Sequence, residues 1–217
     1  MKRTPTAIGR TLSCLSTFCA ALLGAVCLMS VSSCSDDGNA TPPFTTEMAD
    51  VQTDAGGRLA ALLLDDDTRY VIENQKAGYK PNTAYRALAD FSIQGGKAHV
   101  YSLMNALVLK DSTATPMHDP VKVQSVWRTQ KYINIHLSPR TQGGRQYWGY
   151  IVDSVTKSAL PDGTPCRHIC LSLHHNQNGD PESYTTEVYA SIAIHSITYI
   201  GPNDRITLRI NKAEYEL

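Results

Sequence analysis

The chain is poor in the residues that mark many common protein classes. Of its 217 residues only 7% are aromatic, and most of its six cysteines lie at or before Cys34. Cys166 and Cys170 alone follow, which is too few for a framework of disulfides. No stretch reaches the about 20 predominantly apolar residues that a transmembrane helix needs.

An excess of charge of one sign is also lacking. The 20 Lys and Arg residues balance the 20 Asp and Glu residues. Removal of an N-terminal leader would take away Lys2, Arg3 and Arg10 but no acidic residue, which leaves a slight acidic excess. A protein that binds nucleic acid needs the opposite balance, so we do not expect nucleic acid as a partner.

Motifs that carry catalysis are missing as well. No serine stands in a Gly-x-Ser-x-Gly turn, no glycine-rich loop could cradle a phosphate, and no pair of carboxylates suits glycoside hydrolysis. We therefore expect a protein that is not an enzyme and that uses no cofactor. A hydrolase with an unrecognised site is the alternative.

The N-terminus does contain a three-part secretory signal. Positive residues precede an apolar segment at 12–28, and a Val-Ser-Ser-Cys motif ends at Cys34. Small residues before the cleaved bond suit a peptidase groove, and a thiol is the group to which diacylglycerol is attached. The sequence therefore predicts a signal peptide at 1–33 and a bacterial lipoprotein whose Cys34 carries lipid, palmitate included. A plain signal peptide and a transmembrane anchor are the alternatives, but the apolar segment is short and interrupted.

The residues that follow Cys34 indicate how the protein is sorted. Residues 34–46 are polar, acidic and rich in turn formers, which predicts a flexible tether. Ser35 stands where an aspartate would favour retention at the inner membrane, and Asp36 and Asp37 resemble the export signal of surface lipoproteins. We expect a protein anchored in the bacterial outer membrane and facing the exterior, with the periplasmic face as the alternative.

The first block after the tether predicts a small barrel. Tyrosine and β-branched residues at a period of two indicate an all-β protein. The predicted strands of this block, residues 47–112, are 57–64, 68–73, 85–93 and 97–109. Gly95-Gly96 marks a tight hairpin, and we expect Leu103, Leu107 and Leu109 to face inward. Four or five short strands favour an OB-like Greek-key barrel.

The second block, residues 118–217, predicts an antiparallel β-sandwich. The polar segment before it, 110–116, marks the domain boundary. Polar and aliphatic side chains alternate at Tyr132–Leu137 and at Arg167–Leu173, so one face of each strand is buried. Evenly spaced turns between strands are typical of a sandwich. The predicted strands are 121–127, 132–137, 146–152, 167–173, 186–194 and 205–211.

The small barrel block is followed by a characteristic order of motifs in the second block. The motifs are Asp119-Pro120-Val121-Lys122-Val123, Trp127, Tyr132-Ile133-Asn134-Ile135 and Leu171-Ser172-Leu173-His174-His175-Asn176 leading to Gly179-Asp180. This order resembles the NigD-like lipoproteins. The resemblance covers essentially the whole chain and is more specific in its second half. It implies an OB-like domain and a β-sandwich behind a lipoprotein signal, but no catalytic residues. Because the family is named after a gene in a bacteriocin cluster, an immunity-type envelope protein becomes an alternative.

Aromatic residues are the best candidates for a binding surface. Trp127, Tyr147 and Trp148 lie close together in the sequence of the sandwich, and flat aromatic faces are what sugar-binding surfaces use. The alternative is that the tryptophans belong to the core or to a domain interface. We expect a non-catalytic binding or structural role, with an extracellular protein, peptide or glycan as ligand.

Two further patterns could suggest metal sites. Cys166, His168 and Cys170 would project from one face of a strand, but the two cysteines would then be about 13 Å apart. Neither a single tetrahedral metal nor a disulfide spans that distance, so we predict unbridged thiols without a metal. The oxygens between Asn176 and Glu182 resemble a calcium loop, but a proline interrupts them, which favours a plain turn.

Overall fold

The computed structural model describes residues 43–197, 201 and 203–217. Cys34, the predicted signal peptide and most of the predicted tether lie outside these residues. Strands make up most of the described chain, together with a short 3-10 turn at Ile194–Ser196. Across the described ranges no helix is both long and apolar enough to span a bilayer.

A closed five-stranded barrel forms the first half of the described chain. Its strands are β1 (Phe44–Thr53), β2 (Leu59–Leu64), β3 (Arg69–Ile72), β4 (Ala84–Gln94) and β5 (Lys97–Asn105). They follow each other around the barrel in the order β1-β2-β3-β5-β4, with β3 and β5 parallel. The predicted OB-like barrel is therefore confirmed.

Small side chains allow this barrel to close tightly. Its interior is filled by alternate residues of the strands, many of them alanines beside a few larger aliphatic and aromatic residues. Gly95 and Gly96 both have positive φ, at 54° and 75°, as a two-residue type I′ turn requires, and they connect β4 to β5. The hairpin predicted at this position is confirmed.

A β-sandwich forms the second half. Its strands are β6 (Leu107–Leu109), β7 (Lys122–Arg128), β8 (Tyr132–Ser138), β9 (Arg140–Thr141), β10 (Tyr147–Ala159), β11 (Pro165–Asn176), β12 (Tyr184–Thr185), β13 (Val188–Ala193), β14 (Arg205–Ile210) and β15 (Ala213–Glu216). Two four-stranded sheets have the orders β6-β13-β8-β7 and β10-β11-β14-β15, and β9 pairs with β12. The sandwich is confirmed, although β6–β13 and β11–β14 are parallel pairs.

The sandwich core follows from the alternation seen in the sequence. The aliphatic residues of β8 and β11 point between the sheets, and their polar neighbours point outward. Tyr150 of β10 is also fully buried, and its hydroxyl lies 3.1 Å from the hydroxyl of Ser196. The hydroxyl of this buried tyrosine therefore has a hydrogen-bond partner.

The barrel begins before the predicted end of the tether. β1 starts at Phe44, and its backbone pairs with β4 from the partners Phe44 and Ser92 onward. Residues 44–46 therefore belong to a strand and not to a flexible tether. The partner strand is distant in sequence, so local composition could not reveal the pairing.

The predicted strand 97–109 is in fact two strands in different domains. β5 ends at Asn105, and β6 pairs with β13 of the sandwich. Leu107 is 41% exposed, which contradicts the prediction that it faces inward, whereas Leu109 is buried in the sandwich core. The chain leaves the barrel sheet where the N–H of Ala106 donates to the carbonyl of Arg86.

The polar segment after β6 is not a free connector. The N–H of Ser112 donates to the carbonyl of Tyr150, and the N–H of His175 donates to the carbonyl of Met117. An isolated β-bridge pairs Asp111 with Tyr150 in the same region. The change from barrel to sandwich therefore comes directly after β5, earlier in the chain than the polar composition suggests.

Candidate functional site

The barrel and the sandwich meet at a buried polar network around Arg86 of β4. The guanidinium forms a two-pronged ion pair with Asp65 at 2.6 and 2.8 Å, and it donates to Asn134 and Ser191 of the sandwich at 3.0 and 3.1 Å. The ring of Tyr132 packs 3.8 Å from the guanidinium carbon. Because the Arg86 side chain is 1% exposed, these contacts replace its hydration shell.

Contacts around this network strengthen the junction. The hydroxyl of Tyr132 donates to Asp50 of β1 at 3.0 Å. Burial first, and then the charge of Asp50, raise the pKa of Tyr132 to about 12, so the hydroxyl keeps its proton at neutral pH. Lys131 forms an ion pair with Asp67 at 2.5 Å. The two domains are thus held in one orientation by groups from both sides.

A cleft of about 220 Å³ lies in the sandwich away from this junction, and we call it the end cleft. Its polar lining consists of Lys122, Ser138, Arg140, His175, Gln177 and Glu182, and Pro120 and Val121 complete it. Ser138 lies at the opposite end of β8 from Tyr132, roughly 20 Å along the strand. The lining comes from four separate segments of the chain.

His175 is a rigid part of the lining. The ring is buried, Trp148 stacks on it with centroids 3.8 Å apart and planes inclined by 10°, and Trp148 also packs against the core. The Nδ1–H donates to the carbonyl oxygen of Asp119 at 2.9 Å, and Nε2 lies 3.0 Å from Gln146 Oε1. Burial lowers the pKa of His175.

Asp180 ties together the loops at the rim of the cleft. Its carboxylate accepts hydrogen bonds from the N–H groups of Gln142 and Gly144, both at 3.0 Å, from the Gln146 amide at 2.9 Å, and from the Thr141 hydroxyl. The Thr141 hydrogen bond is the largest cause that lowers the pKa of Asp180 to about 2. A Cβ at Gly144 would lie 2.5 Å from Asp180 Oδ1, so this close approach requires glycine.

The oxygens that resemble a calcium loop have partners within the fold. Asn176 Oδ1 accepts from the N–H of Asn178, and the Asp180 carboxylate is occupied as described above. Positive φ values at Asn178 and Gly179, 54° and 70°, are those of a tight turn. Within the described residues, no group of three or more His, Cys, Asp or Glu side chains is placed to hold a metal ion.

The charged groups of the cleft remain open to solvent. Arg140 donates to the carbonyl oxygen of Glu182 at 2.8 Å, and its Nε lies 3.7 Å from the Glu182 carboxylate. Both side chains are more than half exposed, and Lys122 is exposed beside them. The cleft thus offers an ammonium, a guanidinium and a carboxylate around the imidazole of His175. These groups can bind the hydroxyl, amide or carboxylate groups of a ligand.

A serine, a histidine and a glutamate lie next to the cleft but in the wrong order for a catalytic triad. The hydroxyl of Ser138 donates to the Glu187 carboxylate at 3.1 Å, and that carboxylate also contacts His136 Nε2. A triad needs the imidazole between the hydroxyl and the carboxylate, so that it can take the proton of the hydroxyl. Here the carboxylate lies between them, and His136 stacks on Tyr189 at 4.2 Å.

The structure does not bring the predicted aromatic residues onto one surface. Trp127 lies on β7, half-buried, and its register partner is Asn134 of the domain junction. Trp148 and Tyr147 begin β10 in the other sheet. Trp148 is partly covered by His175, whereas Tyr147 is 42% exposed with the Arg145 guanidinium 5.0 Å from its ring.

The sequence interpretation missed the charged residues of the end cleft. Lys122, Arg140 and Glu182 carry no recognisable motif of their own. The signals that could have pointed to this region were the Asp119–Val123 segment and the Asn-Gly-Asp turn, both of which contribute to the cleft or its rim. The predicted lipidation site, Cys34, lies outside the described residues.

Cys166 and Cys170 are buried, free thiols on β11. Their register partners are Ser158 and Ser154 of β10, so the strand between them is extended. The sulfur of Cys170 lies 3.9 Å from His168 Nε2, and the same nitrogen lies 2.6 Å from the Thr207 hydroxyl. This extended geometry is the one on which the prediction of unbridged, metal-free thiols depends.

The hydrogen bonds of Asp180 predict a pH-dependent contribution to stability. Asp180→Asn should lower the thermal unfolding midpoint at pH 7, because an amide cannot accept all four hydrogen bonds. Since folding lowers the pKa of Asp180 to about 2, the stabilisation is complete above the unfolded pKa of about 3.9 and is lost as the pH falls towards 2. Wild type and variant should therefore converge between about pH 4 and pH 2 in calorimetry. A constant difference down to pH 2 would contradict this assignment. Asp111→Asn, at an exposed position after β6, is the matched control.

Comparison with known proteins identifies both halves of the chain. Residues 48–103 match the NigD-like N-terminal OB domain, and residues 103–217 match the NigD-like C-terminal beta sandwich domain. A search of curated proteins gave no match.

Solved structures from Bacteroides share the fold. A NigD-like immunity protein from Bacteroides caccae is 22% identical, with a TM-score of 0.56, and the match covers 82% of this chain and 92% of that one. A protein of unknown function from Bacteroides vulgatus is 15% identical, with a TM-score of 0.61 and coverage of 81% and 90%. A predicted lipoprotein from Bacteroides fragilis is 10% identical, with a TM-score of 0.55 and coverage of 80% and 91%. Because the two domain matches together span residues 48–217, the chain belongs to the NigD-like family.

Proposed function

We propose that this protein is a lipid-anchored protein of the outer membrane that binds an extracellular ligand at the end cleft without catalysing a reaction. The observation that carries the proposal is the construction of the cleft. A frame of partly buried hydrogen bonds holds exposed groups of both charges around it. Preformed sites of this kind lose little conformational entropy on binding.

The anchor and its location rest on the N-terminal sequence. The signal and the Val-Ser-Ser-Cys motif at Cys34 support lipidation, and Ser35, Asp36 and Asp37 support export to the exterior. The fold shared with a predicted lipoprotein of Bacteroides fragilis is in keeping with this assignment. A tethered domain in this position would meet peptides, proteins and glycans of the surroundings.

The chemistry of the cleft favours a polar ligand. Arg140 and Lys122 can donate to carboxylate or hydroxyl oxygens, while Glu182 can accept from hydroxyl or amide groups. Pro120 and Val121 add a small apolar surface. Glycans with acidic groups and peptides with a free carboxylate both fit this combination.

Substitution of the two positively charged side chains, Lys122 and Arg140, tests the proposed site. The mature chain with Cys34→Ser would be screened on arrays of acidic glycans and peptides. The affinity for each ligand found in this way would then be measured by calorimetry. Combining Lys122→Ala with Arg140→Ala should weaken binding by at least about tenfold, since charged anchors contribute strongly to polar recognition. Lys157→Ala, an exposed lysine on the β10 strand outside the cleft, is the matched control and should change little. Binding that survives the double substitution would place the ligand elsewhere.

Bacteriocin immunity is the second candidate function. It is favoured by the likeness to the protein from Bacteroides caccae that is described as a NigD-like immunity protein. In this role the end cleft would hold a bacteriocin or its target at the envelope. Expression of the chain in a sensitive strain should then raise survival in the presence of bacteriocin, and Lys122→Ala with Arg140→Ala should abolish the gain.

A further inference from the structure

The outer surface of the barrel carries exposed apolar side chains next to the point where the predicted tether enters. Phe44 is 67% exposed, Val71 55% and Tyr101 43%. With Lys97 and His99 they form what we call the anchor-side patch. Exposed groups of apolar residues of this kind commonly mark a contact with another surface.

The patch is continuous across the barrel strands. Ser92 of β4 is the register partner of Phe44 on β1 and of His99 on β5. The hydroxyl of Tyr101 lies 3.0 Å from the hydroxyl of Ser92, and the rings of His99 and Tyr101 are 5.0 Å apart. Ser92 is buried, and Phe44, His99 and Tyr101 lie around it on the outer face of the barrel.

The charges around the patch suit an interface with lipid headgroups. Val71 and Lys97 are register partners, which places an exposed ammonium beside an exposed aliphatic group. The Glu73 carboxylate is bound by His99 Nδ1 at 2.9 Å. Asp90 accepts hydrogen bonds from two hydroxyl groups. Hydrogen bonds hold both carboxylates within the barrel without removing the charge of Asp90, and Lys97 is the charged group of the patch that can extend to a lipid phosphate.

We infer that the anchor-side patch lies against the headgroup region of the bilayer in which Cys34 is anchored. The inference rests on the proposed lipidation. An extended chain from Cys34 to Phe44 reaches at most roughly 35 Å, so the patch cannot move far from the membrane surface. A short tether gives an effective concentration on the order of millimolar, so a few side chains suffice for contact. Aromatic residues and lysine are the types that favour membrane interfaces.

This contact orients the rest of the molecule. Phe44 lies roughly 20 Å along β1 from Asp50, which contacts the sandwich through Tyr132. The end cleft begins roughly 20 Å beyond Tyr132 along β8. With the patch on the lipid, the barrel is the domain next to the bilayer, and the end cleft lies in the other domain, at the end of β8 away from Tyr132.

Two exposed valines allow a matched test. Val71 lies in the patch, and Val155, 43% exposed, lies on β10 of the sandwich. Val71→Cys and Val155→Cys would each be introduced into the full-length lipidated protein and labelled with a thiol-reactive fluorophore. The native thiols Cys166 and Cys170 are buried. The proteins would be reconstituted into vesicles of phosphatidylethanolamine and phosphatidylglycerol in equal parts, with and without bromine on the acyl chains.

Brominated lipid should quench the label at Val71→Cys at least about twofold more than the label at Val155→Cys, because an interfacial contact brings it close to the acyl chains. Phe44→Ser should reduce this difference. Equal quenching at both positions in protein that floats with the vesicles would overturn the inference while leaving the lipid anchor intact. Protein that fails to float would overturn both the anchor and the contact that depends on it.

Discussion

Arg86→Met should lower the free energy of unfolding by about 3–5 kcal/mol, because it leaves the Asp65 carboxylate in the junction without its cation. Methionine keeps much of the volume of arginine, so the loss would come from the ion pair and its hydrogen bonds rather than from a large cavity. Asn134 and Ser191 would lose their donor as well. The measurement is urea denaturation of the mature chain with Cys34→Ser, followed by tryptophan fluorescence and circular dichroism.

A double substitution distinguishes the effect of the unpaired charge on stability from the effect of altered packing. Asp65→Leu combined with Arg86→Met removes both charges of this ion pair and should restore part of the lost stability, since an apolar pair can replace a buried ion pair. The restoration is incomplete because Asp50, 3.5 Å from the Arg86 guanidinium, also loses its ion-pair partner. Arg69→Met is the matched control. Arg69 donates to Gln52 on the exposed surface of the barrel, and its loss should change stability by less than about 0.5 kcal/mol. A loss below about 1 kcal/mol for Arg86→Met would mean that water replaces the guanidinium at the junction.

The junction also shows what the sequence could not reveal. Arg86 stands on the outer face of β4, in alternation with the buried Ala87 and Ala89, as an exposed residue of a barrel strand would. It is buried only because the sandwich covers this face. Its partner Asp65 follows β2 of the barrel, whereas its partners Asn134 and Ser191 come from β8 and β13, and no local pattern connects these segments.

Local sequence patterns predicted the elements whose partners lie close to them in the sequence. The Gly95-Gly96 hairpin joins adjacent strands and needs only two residues with positive φ. The alternation of β8 and β11 identifies their buried faces directly. Both barrel and sandwich could therefore be predicted, with the resemblance to a known family supporting their order.

Elements whose partners are distant were missed or misassigned. β1 carries little signal before Met48 and is held by β4, while β6 is held in parallel by β13. The end cleft is a similar case, because the pairing of β7 with β8 places Lys122, whereas loops held by Asp180 bring Arg140 and Glu182 towards it. Trp127 and Trp148, although near in sequence, were separated because β7 and β10 belong to different sheets.

Cys34→Ser should abolish lipidation of the protein, because the lipid is attached to the thiol of this residue and a hydroxyl cannot take its place. The expected product carries no radiolabel from palmitate and is found uncleaved or in the periplasm. Cys27→Ser, seven positions earlier within the predicted signal peptide, removes a thiol that we expect to be discarded, and it should leave labelling and fractionation unchanged. Fractionation, palmitate labelling and mass spectrometry of the N-terminal peptide would be compared for both variants. Normal labelling of the Cys34→Ser protein, or loss of labelling in Cys27→Ser, would show that the lipid is carried by another residue.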